Sequence, residues 1–103
     1  MAERMIEDVR HEAERGTLLF CLILRKLEWM PFTELRKQMA RQGYPMGDAQ
    51  LQFHLNYLSQ GGYVETDTLR SGRVLVEMKR VRATKRAVDL HDGRIPSDPG
   101  VAF

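Results

Sequence analysis

Apolar residues in the first third of the chain recur in steps of three, four and seven, the spacing that places side chains on one stripe of an α-helix. This pattern predicts a helix from about Glu3 to Glu28. Gly16 interrupts it at a cost of about 1 kcal/mol relative to alanine, which allows a bend, and Pro31 ends the segment. The stripe consists of Ile6, Val9, Ala13, Phe20, Ile23, Leu27 and Met30.

A second, shorter helix is predicted after Pro31. Thr33 is its candidate N-cap, because its hydroxyl can accept a backbone N–H of the first turn. Leu35 and Met39 share a face, being four residues apart. Gly43 is placed to end the helix, since glycine readily adopts positive φ there.

A third helix is predicted to open at Asp48, whose carboxylate can cap the free N–H groups and favours the positive end of the helix dipole. Leu51, Leu55 and Leu58 step by four and three and form one apolar stripe. The pair Gly61-Gly62 ends the helix.

The period then changes to that of β-strands. Residues 63–69 are rich in β-branched and aromatic side chains, residues 70–73 form a turn with Gly72, and apolar and polar positions alternate over 74–79. We therefore predict a β-hairpin. A short last helix is expected over 84–91, and the tail 94–103, with two prolines, is expected to be irregular.

The order helix-helix-helix-strand-strand-helix predicts a mainly α domain with a small β-hairpin over residues 1–93. The length of 103 residues and the 43% of apolar residues suit a single domain. The lone Cys21 excludes an intrachain disulfide and a cysteine-rich metal site, and we interpret it as a small buried hydrophobe. The longest apolar run has seven residues, too short to span a bilayer, and the first residues do not resemble a signal peptide. We expect a cytoplasmic protein that does not bind membranes.

The stretch His54-Leu55-Asn56-Tyr57-Leu58-Ser59-Gln60-Gly61-Gly62-Tyr63-Val64-Glu65 resembles a winged-helix signature. In that signature two leucines three apart end the recognition helix, and a glycine and a hydrophobic residue begin the first wing strand. ArsR-like and MarR-like bacterial regulators share the pattern. The resemblance implies a winged helix-turn-helix fold.

The C-terminal part carries a second resemblance. Residues 81–94, followed by Pro99-Gly100-Val101, look like the end of a family of small winged-helix proteins encoded by Mu-like phages and prophages. That family often carries a glycine in the last helix, where this chain has Arg86-Ala87. The resemblance implies a phage or prophage transcriptional regulator.

A winged helix places its third helix in the major groove and its hairpin tip on the backbone or in the minor groove. Amides suit adenine edges, and basic side chains bind phosphates. From Arg70 to Arg86 there are seven basic residues and one acidic residue, Glu77. The resemblance thus implies that the partner is double-stranded DNA. The candidate contacts are Gln50, Gln52, Phe53 and Asn56 on the third helix, Arg70 and Arg73 on the hairpin, and Arg36 and Lys37 on the second helix.

One pattern favours a different function. No Lys or Arg occurs between Arg41 and Arg70, so the predicted recognition helix has no cation, and Asp48 lies at its N-terminal end. The alternative is a winged-helix module that binds a host or phage protein, with Phe53 on the partner surface. Phe53 can equally pack against the first helix. The arginine cluster places DNA binding ahead of this alternative.

The early turns of the first helix extend beyond the reach of the other predicted helices. We therefore expect a homodimer through Ile6, Val9 and Ala13. The motifs indicate no enzyme, metal or cofactor. The three histidines lie in three different helices without metal-ligand spacing, and we interpret each as a surface or capping residue.

Overall fold

A computed structural model describes residues 5–73 and 76–103. Within these ranges the chain forms a small α/β domain with four helices and a three-stranded antiparallel sheet. The predicted order of helices and long strands is confirmed, and a two-residue strand, too short to show a period, is added. The elements are α1 (Ile6–Leu24), β1 (Met30–Pro31), α2 (Phe32–Arg41), α3 (Asp48–Gln60), β2 (Val64–Arg70), β3 (Glu77–Ala83) and α4 (Lys85–His91).

The sheet has the order β1-β3-β2, so β3 is its central strand. Met30 pairs with Val81, and the β2–β3 pairing runs from Val64 opposite Ala83 to Arg70 opposite Glu77. The prediction placed the second long strand over 74–79, of which 74 and 75 lie outside the described residues. The strand continues further than predicted, because Val81 and Ala83 carry the alternation into the core.

The core lies between α1, α2, α3 and one face of the sheet. The predicted stripes of α2 and α3 are confirmed as buried. The predicted stripe of α1 is wrong in its second half, where Phe20 and Leu27 are exposed and Leu18 and Leu22 face the core. Seven consecutive apolar residues give no polar contrast from which a face can be chosen. The core residues are Leu18, Leu19, Leu22, Met30, Leu35, Met39, Leu51, Leu55, Leu58, Tyr63, Val64, Val81, Ala83, Ala87, Leu90 and Val101.

Helix α1 ends at Leu24, four residues earlier than predicted. Lys26 and Leu27 adopt positive φ, at 55° and 65°, and this turn redirects the chain into β1. The predicted N-cap of α2 is also wrong, because Pro31 holds the cap position and Thr33 lies exposed in the first turn. Strand β1 pairs with β3 up to Pro31, so α2 begins directly after it. The local sequence around Thr33 contains no signal for this long-range pairing.

Helix α3 begins at Asp48 as predicted, but Gly47 is its N-cap, and no side chain in the described part of the chain caps it. The Asp48 carboxylate forms an ion pair with Arg36 of α2 instead. The predicted ends of two helices are confirmed, since Gly43 and Gly62 adopt positive φ of 89° and 79°.

Residues 94–103 contain no helix or strand, yet they are tied to the helices. Asp98 accepts hydrogen bonds from the hydroxyl groups of Tyr57 and Tyr63, at 2.7 and 2.9 Å. The backbone N–H of Ala102 donates to the carbonyl of Glu12 at 3.0 Å. The tail therefore joins α1 to α3 and the start of β2.

Gly16 lies where the tail crosses α1, and α1 runs through it as one continuous helix. The helix is therefore not broken at this glycine. A Cβ at this position would overlap the carbonyl group of Ala102. The close approach of two backbones explains the glycine. In the described part of the chain, no helix has the length and apolar character needed to cross a membrane.

We predict that Gly16→Ala destabilises the protein by about 1–3 kcal/mol, although alanine is the better helix former, because the tail must move away from α1. Urea unfolding followed by circular dichroism measures the change. Gly72→Ala is the control, since among the described residues a Cβ at Gly72 would meet no atom within 4 Å and the position lies outside the helices. Equal stability of Gly16→Ala and the wild type would contradict this explanation of the glycine.

Candidate nucleic-acid interface

Helix α3 buries one face and exposes the other. Leu51, Leu55 and Leu58 enter the core, while Phe53 and Asn56 are exposed and Gln52 is half-buried. The side-chain amide of Gln52 donates to Oδ1 of Asn56 at 2.8 Å. The outer face of α3 thus presents two linked amides and an aromatic ring.

Gln50 points the other way from its neighbours. It is half-buried, and its amide donates to Oε2 of Glu14 in α1 at 2.6 Å. We predicted an exposed side chain at this position. The buried carboxylate of Glu14 accounts for the difference, because it requires donors that the sequence pattern does not reveal.

Phe53 packs against α1 and is nevertheless 49% exposed. Its ring lies 5.4 Å from that of His11, and the guanidinium of Arg15 lies 5.3 Å from its centre. Arg15 also stacks on Tyr57 at 4.0 Å. Phe53 therefore both packs against the first helix and leaves part of its ring at the surface, so each of the two interpretations holds in part.

The hairpin arginines are largely paired with carboxylates. Arg80 donates to both oxygens of Asp67, at 3.0 and 2.6 Å, and Arg82 donates twice to Glu65, at 3.0 and 2.7 Å. The hydrogen bonds from Arg80 hold the pKa of Asp67 below its ordinary value. The count of seven basic residues and one acidic residue covered only Arg70 to Arg86. It missed Glu65 and Asp67, because both precede that range, on β2.

Trp29 lies beneath the same two arginines. The guanidinium groups of Arg80 and Arg82 lie 4.8 and 4.5 Å from the centre of its ring. Arg86 is also engaged, since it donates to the carbonyl of Gly61 at 2.9 Å. Three of the seven basic residues therefore hold the hairpin and its surroundings together.

The tip of the hairpin keeps more of its positive charge at the surface. Arg70 reaches Glu77 at 3.2 Å, with both side chains more than half exposed. Arg73 and Lys79 are exposed and form no ion pair within residues 5–73 and 76–103. These three residues are the cations of the tip that solvent, or a ligand, can reach.

A groove of about 630 Å³ lies between the N-terminal ends of α2 and α3 and strand β3. Asp48 and Glu77 place one carboxylate on each side of it, and Arg36 is bound to Asp48. Lys37, on α2, is exposed. The groove is lined by Pro31, Phe32, Thr33, Asp48, Ala49, Gln52, Val76, Glu77, Met78 and Lys79.

Glu14 and His54 form a fully buried pair between α1 and α3. Nε2 of His54 lies 2.7 Å from Oε2 of Glu14, and Arg10 donates to Oε1 of Glu14 at 3.0 Å. The interpretation of His54 as a surface or capping histidine is wrong. Its spacing, three residues after Leu51 and four before Leu58, places it on the apolar stripe and is the signal that could have found it.

The protonation states of the pair follow from its contacts. Burial alone would raise the pKa of the Glu14 carboxyl, but the hydrogen bond from His54 and those from Gln50 and Arg10 hold it below its ordinary value of 4.5. Burial also lowers the pKa of His54 below 6.5, although Glu14 opposes the shift. His54 is then neutral and donates from Nε2. Its Nδ1 is buried and has no hydrogen-bond partner among residues 5–73 and 76–103, so it is an acceptor that would become an unpaired donor on protonation.

Two of the three histidines, although they lie in different helices, come together in the fold. The rings of His11 and His54 lie 5.3 Å apart. Among the described residues, no three His, Cys, Asp or Glu side chains are grouped as a metal ion requires. Cys21 is half-buried against the core, and burial raises the pKa of its thiol.

Comparison with protein-family models, with curated proteins and with solved structures found no match to this chain. The geometry and charge of this surface are therefore what bears on its function.

We predict that acid destabilises the protein through His54. Because the folded-state pKa of His54 lies below 6.5, the unfolded chain binds the proton first, and stability is lost as pH falls from 6.5 through the folded-state pKa. Glu14, whose pKa is also lowered, adds a further loss below pH 4.5. Urea unfolding at pH 7.5, 6.5 and 5.5 measures the first effect.

The matched variants are His54→Gln, which keeps a neutral donor towards Glu14, and His91→Gln, which removes a histidine at the surface of the protein. We expect only His54→Gln to flatten the pH dependence. A pH dependence equal to that of the wild type in His54→Gln would show that this histidine is not its source.

Proposed function

We propose that this chain is a winged-helix protein that binds duplex DNA through α3 and the β2–β3 hairpin. The observation that carries the proposal is the arrangement α1-β1-α2-α3-β2-β3 with sheet order β1-β3-β2. In a winged helix such a sheet holds the hairpin beside the third helix, so that helix and hairpin contact one duplex together.

In this proposal the amides of Gln52 and Asn56 face the base edges. Amide side chains can donate and accept in pairs to adenine in the major groove. The hydrogen bond between them fixes both amide orientations before DNA arrives. Gln50, bound to Glu14, acts by holding α3 in place.

The exposed cations Arg70, Arg73 and Lys79 bind phosphates at the hairpin tip, and Lys37 supplies a further cation from α2. Arg36 is restrained by Asp48. With so few available cations, affinity is modest, and the slope of log affinity against log salt is correspondingly shallow, because it scales with the number of phosphates neutralised. The resemblance to small proteins of Mu-like phages supports a role as a phage or prophage transcriptional regulator.

We predict that binding to mixed-sequence duplex DNA weakens with salt and that Arg70→Gln/Arg73→Gln reduces the slope of log affinity against log salt by about two units, one for each phosphate that is no longer neutralised. Fluorescence anisotropy measures the affinity and its salt slope. The titration covers about 20 to 200 mM salt, where phosphate contacts weaken strongly. The control Lys26→Gln/Arg94→Gln removes the same charge outside the hairpin. An identical effect of the two double variants would contradict the assignment to the hairpin tip.

We also predict that the groove carboxylates oppose DNA. Asp48→Asn and Glu77→Gln should each raise affinity about two- to fivefold at low salt, because each removes repulsion of phosphate and releases an arginine. Asp92→Asn, after α4, is the control for net charge and should change affinity less. Unchanged affinity in both groove variants would place the duplex elsewhere.

One observation favours a second candidate, a module that binds protein. Leu69 and Met78 are opposite each other on the hairpin, and both are exposed, as is Val76. An apolar groove with a carboxylate on each side suits a peptide with apolar and basic residues. The DNA titration decides between the two functions, because absence of binding at 20 mM salt, roughly the condition in which phosphate contacts are strongest, excludes the first.

A further inference from the structure

Helix α1 carries apolar side chains on two opposite faces. One face packs in the core through Leu18 and Leu22. The other, here called the outer stripe, has steps of three and four along a continuous helix, so its members share one line. The outer stripe consists of Ile6, Val9, Ala13, Thr17, Phe20 and Leu24.

The ends of the outer stripe are exposed to an extent unusual for large apolar residues. Ile6 is 87% exposed and Leu24 64%, and Val9 and Phe20 are also exposed. Ala13 and Thr17, between them, are small and half-buried. The stripe is therefore large at its ends and small in its middle.

A groove of about 340 Å³ lies on the second half of this stripe. Its floor is Thr17 and Phe20. One wall is Gln42 at the end of α2, and the other is formed by His91 and Phe103. The ring of His91 lies 5.4 Å from that of Phe20 and 4.9 Å from that of Phe103. The groove is thus bounded by packed aromatic side chains.

We propose that two copies of this chain pair through the outer stripe, with the two α1 helices antiparallel about a twofold axis at Ala13. Ile6 and Phe20 each lie seven residues from Ala13, about 10.5 Å along the helix. The axis therefore brings Ile6 of one copy to Phe20 of the other, and Val9 to Thr17. The exposed first turns of each copy fill the groove of its partner.

The size of the side chains supports this pairing over others. Alanine on the axis allows the helices to approach to about 8 Å, the short end of the usual range. A twofold pairing uses the same patch on both copies, as most soluble dimers do. Met5 and Phe103, which are 65% and 54% exposed, extend the apolar surface of the stripe towards the roughly 800 Å² per partner that a stable interface buries. Pairing of this kind does not depend on DNA binding.

Analytical ultracentrifugation without DNA measures the mass of the protein in solution. The protein concentration is varied through the micromolar range, on the order of the dissociation constant expected for a modest interface. We expect the wild type to have twice the chain mass of 11.9 kDa. Ala13→Arg should be monomeric, because it places two cations on the axis. Ala40→Arg makes the same change at an exposed site of α2 and should remain dimeric.

A wild type of 11.9 kDa at the highest concentration would overturn the proposal. So would an Ala13→Arg variant that stays dimeric. Circular dichroism of each variant separates loss of pairing from loss of folding.

A second measurement does not rely on disrupting the protein. In a Cys21→Ser background, Ala13→Cys should form an intermolecular disulfide on mild oxidation, because a twofold axis brings the two positions within the required Cα separation of about 4.4–6.8 Å. Asp8→Cys, exposed off the stripe, should not. Cross-linking of Asp8→Cys but not of Ala13→Cys would refute the proposed register.

Discussion

The buried hydrogen bond between Glu14 and His54 sets the position of α3, on which the candidate interface depends. A buried carboxylate is tolerated only when its oxygens are satisfied, and here Arg10, Gln50 and His54 satisfy them. Gln50 and His54 reach Oε2 of Glu14 from α3, so a shift of either helix along the other would remove both hydrogen bonds from this buried oxygen. These hydrogen bonds therefore also fix the position of the outer face of α3. Buried hydrogen bonds, in addition to apolar packing, thus position the helix that carries Gln52 and Asn56.

Much of the positive charge of the hairpin is engaged in contacts within the protein. Two arginines of β3 bind acids of β2 and cover Trp29, which fixes the strand register through side chains as well as backbone. The cations left at the tip are few. In the proposed DNA-binding function, phosphate contacts would therefore be few, and the acids near the groove would oppose them.

The sequence predicts the helices and strands well wherever polar and apolar positions alternate clearly. Leu51, Leu55 and Leu58 identify the buried face of α3, and the helix expected over 84–91 is present as α4, with Thr84 as its N-cap. The pattern fails in the second half of α1, where every face is apolar and only the neighbours decide. It also cannot place contacts that the fold creates. The partners of Arg80 and Arg82 require the strand register, and Gly16 requires knowledge of where the tail crosses. The buried pair combines two residues that a polarity scale assigns to the surface.

Trp29 is the chain's single tryptophan, and its position gives it a further property. It follows the turn after α1, directly precedes β1, and lies under two guanidinium groups of the central strand. Its indole therefore senses movement of the hairpin relative to the helices through a change in its immediate electric field. The protein contains its own fluorescent reporter at the joint between its helical part and its sheet, and observing that joint requires no added label.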